Sequence, residues 1–204
     1  MTKSRLEAFS DGVIAIIITV MLLELKAPHG YSFEAIQQLW PEMCSYILSY
    51  VMLGIYWNNH HHLFQAVKHI SGSVMWANLH LLFWLSLLPF ATEWMRDGCF
   101  VGPPVAIYGF VLFMSGIAYW LMTISLINLE GRESAIAKAI GSDRKGKGSL
   151  VFYATAIVVS YWAPYVSCAI YVLVAMIWFV PDRRFAHAHL GGQESEHVEG
   201  PVKE

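Results

Sequence analysis

The chain has 204 residues, 56% hydrophobic and only 14% charged, with a mean hydropathy of +0.48. Soluble domains carry about 25% charged residues, so this balance excludes an ordinary water-soluble domain and fits a polytopic membrane protein. The formal net charge of −2 says nothing about nucleic acid, but no basic run with interleaved aromatics is present and no nucleic-acid partner is expected; the apolar spans leave too little length for a catalytic domain.

A bilayer-spanning helix needs about 20 mostly apolar residues. The first candidate covers about 5–26, and its stretch RLEAFSDGVIAIIITVMLLEL carries Arg5, Ser10 and Asp11 at its base. Its basic start resembles a signal peptide, but Glu7 and Asp11 interrupt it and no small-x-small site follows Leu25, so it is expected in the mature protein. Further spans are predicted at 41–66, 73–96 and 103–129, with Pro41 and Pro103-Pro104 at helix starts, where a missing N–H costs nothing. The apolar stretch 149–180 is divided by Ala163-Pro164, and reads as two short spans, 149–163 and 165–180, or as one kinked span.

Charge placement decides between them. With six spans and both termini cytoplasmic, eleven of the thirteen Lys and Arg fall inside: Lys3, Arg5, Lys68, Arg132, Lys138, Arg144, Lys145, Lys147, Arg183, Arg184 and Lys203. Lys26 and Arg96 fall outside. Five spans would strand Arg183 and Arg184 outside, against the positive-inside rule. The expected fold class is therefore an all-α membrane protein, with a six-helix unit over 1–181 and a polar, disordered cytoplasmic tail over 182–204. The loop 130–148 is polar, Gly-rich and net basic. Cys44, Cys99 and Cys168 are odd in number, lack metal-type spacing and read as apolar fillers. Eight Trp and ten Tyr fit interfacial aromatic belts.

Under this topology several polar residues share one depth near the cytoplasmic side. Arg5, Ser10 and Asp11 lie there on the first span, Trp57, Asn58, Asn59, His60, His61 and His62 at the end of the second, and Asn78 and His80 at the start of the third. Donors and acceptors from three helices can then satisfy one another, as a water-free environment demands. The bland reading is solvation at the interface, or, for Asp11, anchoring of its helix by the macrodipole. A metal reading of His60-His61-His62 is disfavoured, because neighbouring helical residues point about 100° apart and the i, i+4 spacing of helical zinc sites is missing. Above this layer the first helix is apolar on every face. Ile16, Val20 and Leu23 share a face with Thr19 beside it, and composition alone makes them lipid-facing or core residues.

Arg5 followed by Phe9-Ser10-Asp11 matches the R-x-x-x-F-S-D signature on the first helix of the transmembrane protein 175 family, endolysosomal potassium channels with bacterial relatives. Tyr56-Trp57 before the histidines, Leu63-Phe64, Asn78 and Leu87-Leu88-Pro89-Phe90 agree with it. The chain is thus similar to the bacterial branch, which has one six-helix unit. The resemblance implies a homotetramer in a lipid bilayer, here the bacterial inner membrane, whose four first helices surround a central pore. It implies apolar rings at Ile16, Val20 and Leu23 as a hydrophobic gate, with Thr19 tied to ion preference. Val20 is smaller than the leucine implied at the middle ring. Potassium would be the permeant ion, with weaker sodium permeation and no cofactor. The polar set Arg5, Phe9, Ser10, Asp11, Trp57, His60, His61, Asn78 and His80 would set gate packing.

Two other classes compete. A proton- or cation-coupled transporter would use Asp11 and a histidine as a relay and favours discontinuous helices. A membrane metalloenzyme would use His60 to His62. The resemblance puts the channel first.

Overall fold

Prolines mark several helix boundaries of this chain, and the computed structural model shows where each takes effect. It describes residues 2–28, 32–67, 69–131, 133–134, 136–137, 141 and 143–179, and among them regular structure is helical, with no strand. The elements are α1 (Lys3–Leu23), α2 (Phe33–Gln38), α3 (Trp40–Gln65), α4 (Gly72–Ser86), α5 (Leu88–Asp97), α6 (Gly102–Glu130), α7 (Arg144–Val159) and α8 (Pro164–Phe179). Pro41 and the Pro103-Pro104 pair sit in the first turns of α3 and α6, and Pro164 opens α8. The tail past Pro181 and the charges at Lys68, Arg132, Lys138, Arg183, Arg184 and Lys203 lie outside the described residues.

Three details differ from the sequence expectation. The third span is not one helix: α4 stops at Ser86 and α5 starts at Leu88. Pro89 cannot donate to the carbonyl of Leu85 and its ring crowds that oxygen, so the chain tightens and the Leu87 N–H turns to the Trp84 carbonyl at 3.2 Å. Leu87 keeps right-handed helical angles, so the result is an offset and no unwound segment. Secondly, α7 starts at Arg144, five residues early, because the Asp143 carboxylate caps it by accepting from the Gly146 N–H at 3.1 Å. Thirdly, the short α2 was not foreseen; Ser32 caps it by accepting from the Ala35 N–H at 3.3 Å. The cysteines are unpaired, and Cys44 and Cys99 are exposed instead of filling a core.

Side-chain contacts give each helix its direction. Lys3 Nζ reaches the Gln65 carbonyl at 3.5 Å, so α1 starts where α3 ends. Arg96 Nη1 reaches the Glu24 carbonyl at 2.8 Å, so α1 and α5 end together. The Glu130 carboxylate accepts from the His69 N–H at 3.0 Å, which returns α6 to the α1 N-terminal end. Ser149 meets Trp178 at 2.8 Å and Ala156 meets Ser167 at 2.7 Å, so α7 and α8 are antiparallel. Six helical paths (α1, α3, α4–α5, α6, α7, α8) thus alternate in direction. By length and composition, three are apolar and long enough to cross a membrane: Lys3–Leu23, Gly72–Asp97 and Gly102–Glu130. The polar end of α3 lowers its hydropathy, and α7 and α8 have 16 residues each.

In a bilayer, lipid is as apolar as leucine, so helix association depends on close packing and interhelical hydrogen bonds. Both are present at α6. Ser49 of α3 lies 2.7 Å from Thr92 of α5 and 3.0 Å from the Tyr108 hydroxyl of α6, all buried. Because Thr92 donates to the Leu88 carbonyl at 2.7 Å, Ser49 donates to Thr92 and accepts from Tyr108. Next to this node, Gly109 makes room for the Tyr171 ring: a Cβ there would lie 2.7 Å from Tyr171 Cζ and 3.1 Å from Ile157 Cγ1. Gly109→Ala is therefore expected to destabilise the bundle by about 1–3 kcal/mol, read as a lower unfolding temperature in detergent. Tyr171→Phe in the same chain should recover part of the loss; an unchanged Gly109→Ala protein would contradict this packing.

Candidate functional site

One side of α1 is committed to its own chain. Leu6, Ser10, Ile14, Ile17 and Met21 are buried against α3, α4 and α5. At 100° per residue these five occupy an arc of about 80°. Ile16, Val20 and Leu23 fall within about 60° of one another on the far side and are 62%, 40% and 80% exposed. Phe9, Gly12 and Thr19 extend the same exposed stripe. The three aliphatic residues are thus excluded from the core of the single chain, which removes one of the two readings composition left. Thr19 Oγ1 donates to the Ile16 carbonyl at 2.8 Å, and its oxygen lone pairs remain open on the exposed side.

The rotation of α1 is held by a buried chain of hydrogen bonds. Ser10 has one hydrogen and gives it to the Leu6 carbonyl at 2.9 Å, in preference to Asn78 Oδ1 at 3.3 Å. Its oxygen then accepts from Asn78 Nδ2 at 2.9 Å. Asn78 Oδ1 accepts from His60 Nε2 at 2.7 Å, which assigns the His60 proton to Nε2. The imidazole stacks on Phe64 with ring centres 4.5 Å apart. Ser10, Asn78 and His60 are all buried. One residue further, on the flank of this chain, Asp11 Oδ1 accepts from Trp57 Nε1 at 3.0 Å, where Trp57 is partly exposed.

The remaining residues of the predicted layer do not join that chain. Arg5 and Phe9 are on the exposed side of α1. His80 lies two residues beyond Asn78, about 200° around α4, and its Nε2 accepts from Trp84 Nε1 at 2.9 Å. His61 stacks loosely on Trp57 and its Nε2 accepts from Gln65 Nε2 at 2.8 Å, while His62 Nδ1 lies 3.4 Å from Gln65 Oε1. The three consecutive histidines therefore diverge, one inward to Asn78 and two along the helix to Gln65. Among the described residues no group of three or more His, Cys, Asp or Glu side chains converges as metal ligands would. Sequence reasoning passed over the Ser49–Thr92–Tyr108 node; the available signal was three hydroxyls on three predicted spans.

An all-helical membrane protein is thus defined, with an N-terminal helix anchored by a buried serine–asparagine–histidine chain and an apolar stripe facing outward. Residues 5–89 match the family model described as endosomal/lysosomal potassium channel TMEM175. A potassium channel of Chryseobacterium sp. (strain P1-3) is 54% identical over 184 residues, covering 90% of this chain and 96% of that protein. A potassium channel of Streptomyces collinus is 31% identical over 160 residues, covering 72% and 78%. The crystal structure of a lysosomal potassium-selective channel TMEM175 homolog from Chamaesiphon minutus shares the fold, with a TM-score of 0.74 at 23% identity, covering 88% of this chain and 97% of that one. The chain belongs to the TMEM175 family, and its near-complete mutual coverage with the Chryseobacterium channel fits the single-repeat bacterial branch.

The hydrogen-bond chain makes a graded prediction. Asn78→Ala leaves the Ser10 acceptor and the His60 donor unpaired in a buried site, costing about 1–3 kcal/mol for each. Trp57→Phe removes one partly exposed bond and should cost about 1 kcal/mol or less. Denaturation of the purified protein in mixed micelles would rank the two; equal losses would mean that Asn78 does not hold the three helices together.

Proposed function

We propose that the protein is a potassium-permeable cation channel of the bacterial inner membrane, a homotetramer in which four copies of α1 line a central pore. The observation that carries this reading is the exposed apolar stripe of α1, opposite the face that packs on its own chain. The rotation that presents this stripe is fixed at Ser10 by buried polar bonds. The names of the relatives, potassium channels in both Chryseobacterium and Streptomyces, point the same way. The six alternating helical paths support six crossings with both ends cytoplasmic. α7 and α8 are each about 24 Å long, shorter than the hydrocarbon core of about 30 Å, and would be shielded in part by α3 and α6.

In this assembly Ile16, Val20 and Leu23 form successive apolar rings. Such rings stop ions by dewetting and need no charge to do so. Opening requires α1 to rotate or spread until water enters, and the Ser10–Asn78–His60 chain with the Asp11–Trp57 pair forms the pivot. The rings give a cation no ligands, so preference for potassium rests on its lower dehydration cost and on the Thr19 oxygen, whose lone pairs are left open by the bond to Ile16. Potassium here is the permeant species, with sodium passing less readily.

The carrier reading needs a relay through Asp11 and a histidine. Here Asp11 accepts from Trp57 while His60 donates to Asn78, so the two engage different partners. It also favours an interrupted helix at the site, and α1 runs unbroken from Lys3 to Leu23. Neither feature supports it.

Ion flux from reconstituted vesicles tests the channel. Wild-type protein should pass potassium ahead of sodium and larger cations, and Ile16→Asn should raise the leak and reduce the discrimination. An Ile16→Asn protein with wild-type flux would remove the ring from the mechanism. Asp11→Ala should alter tetramer yield or flux through the pivot; normal tetramers with normal currents would exclude Asp11 from gating.

A further inference from the structure

The C-terminal end of α1 is also held, by a residue that neither the motif nor the polar layer includes. α1 ends at Leu23, with Glu24 as its cap. The last carbonyls of a helix lack intrahelical donors and carry the negative end of its dipole. Arg96, from the last turn of α5, donates Nη1 to the Glu24 carbonyl at 2.8 Å. Its Nε donates to Asp97 Oδ1 at 2.8 Å, and Nη2 lies 3.5 Å from Glu93 Oε1. Of these three acceptors only the carbonyl belongs to another helix; the two carboxylates orient the guanidinium toward it. The Arg96 side chain is 9% exposed. The void beneath it, lined in part by Met21, Glu42, Ser45 and Thr92, is about 10 Å³, no more than one water could use. α5 in turn is fixed to α3 and α6 through Thr92, Ser49 and Tyr108. The end of α1 is therefore clamped to a rigid neighbour.

We propose that Arg96 is the positioning residue of the outer constriction, holding the last turn of α1 and with it Leu23 at a set distance from the pore axis. The inference rests on the channel reading above. Leu23 directly precedes the held carbonyl and is 80% exposed, so within one chain no side chain confines it. The radius of a Leu23 ring is then set by where the α1 backbone ends. Four helix ends moving outward together widen the ring by twice the shift, and dewetting weakens as a pore widens. The role calls for arginine. A lysine keeps the charge but offers a compact ammonium in place of the planar fork that reaches the carbonyl and both carboxylates at once.

The test is a double-substitution cycle read by flux from vesicles holding the full tetramer, with the potassium-to-sodium permeability ratio as readout. Arg96→Lys should lower the ratio by about twofold or more, the low end of what distal positioning residues deliver. In a Leu23→Ala background the same substitution should change little, because the ring it positions is gone. A wild-type ratio for Arg96→Lys overturns the proposal, and so do effects of Arg96→Lys and Leu23→Ala that simply add, since Arg96 would then act independently of the Leu23 ring. Should Arg96→Lys fail to assemble, Asp97→Asn takes its place. It loosens the guanidinium at a side chain that is 62% exposed and should shift the ratio in the same direction. If Leu23→Ala and Ile16→Asn both leave flux unchanged, the pore reading itself has failed, a result distinct from a neutral Arg96→Lys beside an active Leu23→Ala.

Discussion

The amide of Asn78 is the interaction on which the rest of this molecule turns. It sits where three helices meet, giving a hydrogen to Ser10 of α1 and taking one from His60 of α3. In a buried site such groups must find partners inside the protein, and a partner lost is costly. The requirement is directional. If α1 rotated by a single residue, about 100°, Ser10 would leave the amide, and the Asn78 Nδ2–H and the Ser10 oxygen would each lose a partner. The rotation of α1 is therefore specified, and so is the identity of the residues left outside: Ile16, Val20 and Leu23 on one stripe, with Thr19 beside them.

Apolar contact alone could not achieve this. Between lipid and protein the aliphatic side chains of α1 gain little from choosing one neighbour over another. The bundle accordingly draws its specificity from a few hydroxyls and from small residues. Ser49, Thr92 and Tyr108 join three helices at one node, and Gly109 lets the Tyr171 ring approach the α6 backbone. Tyr171 then donates to the Val105 carbonyl at 3.1 Å. These contacts join α3 and α5, against which α1 packs, to α6 and α8.

α1 is attached at its two ends by different chemistry. Near its start a fully buried serine–asparagine–histidine chain fixes rotation; at its end a guanidinium holds a backbone carbonyl. Between them the packing is aliphatic, through Ile14, Ile17 and Met21. Under the proposed pore, a helix held at both ends suits a passage controlled by small changes in the radius of apolar rings. The offset at Leu87 belongs to the same arrangement, because it lets α4 carry Asn78 to one anchor and α5 carry Arg96 to the other.

Much of this was legible in the sequence. Local backbone chemistry and runs of apolar residues located α3 and α6 almost to the residue, since prolines and polar flanks act on their own neighbours. The R-x-x-x-F-S-D motif named the helix to watch, and the polar residues on three spans could be placed at one level by counting along helices of alternating direction. Partner choice was not legible. Nothing in the sequence separates Asn78 from His80, two positions away, yet one closes the buried chain and the other turns to Trp84. Nor does it show that Arg96, counted as a charge outside the membrane, holds the end of α1. A helix that is apolar all round has no moment to report its orientation, and its rotation is set only when other helices present particular donors and acceptors to it. Composition and spacing determined most of the segments that form helices; the tertiary structure alone decided which way each helix faces, because that choice is made by directional bonds between residues far apart in the chain.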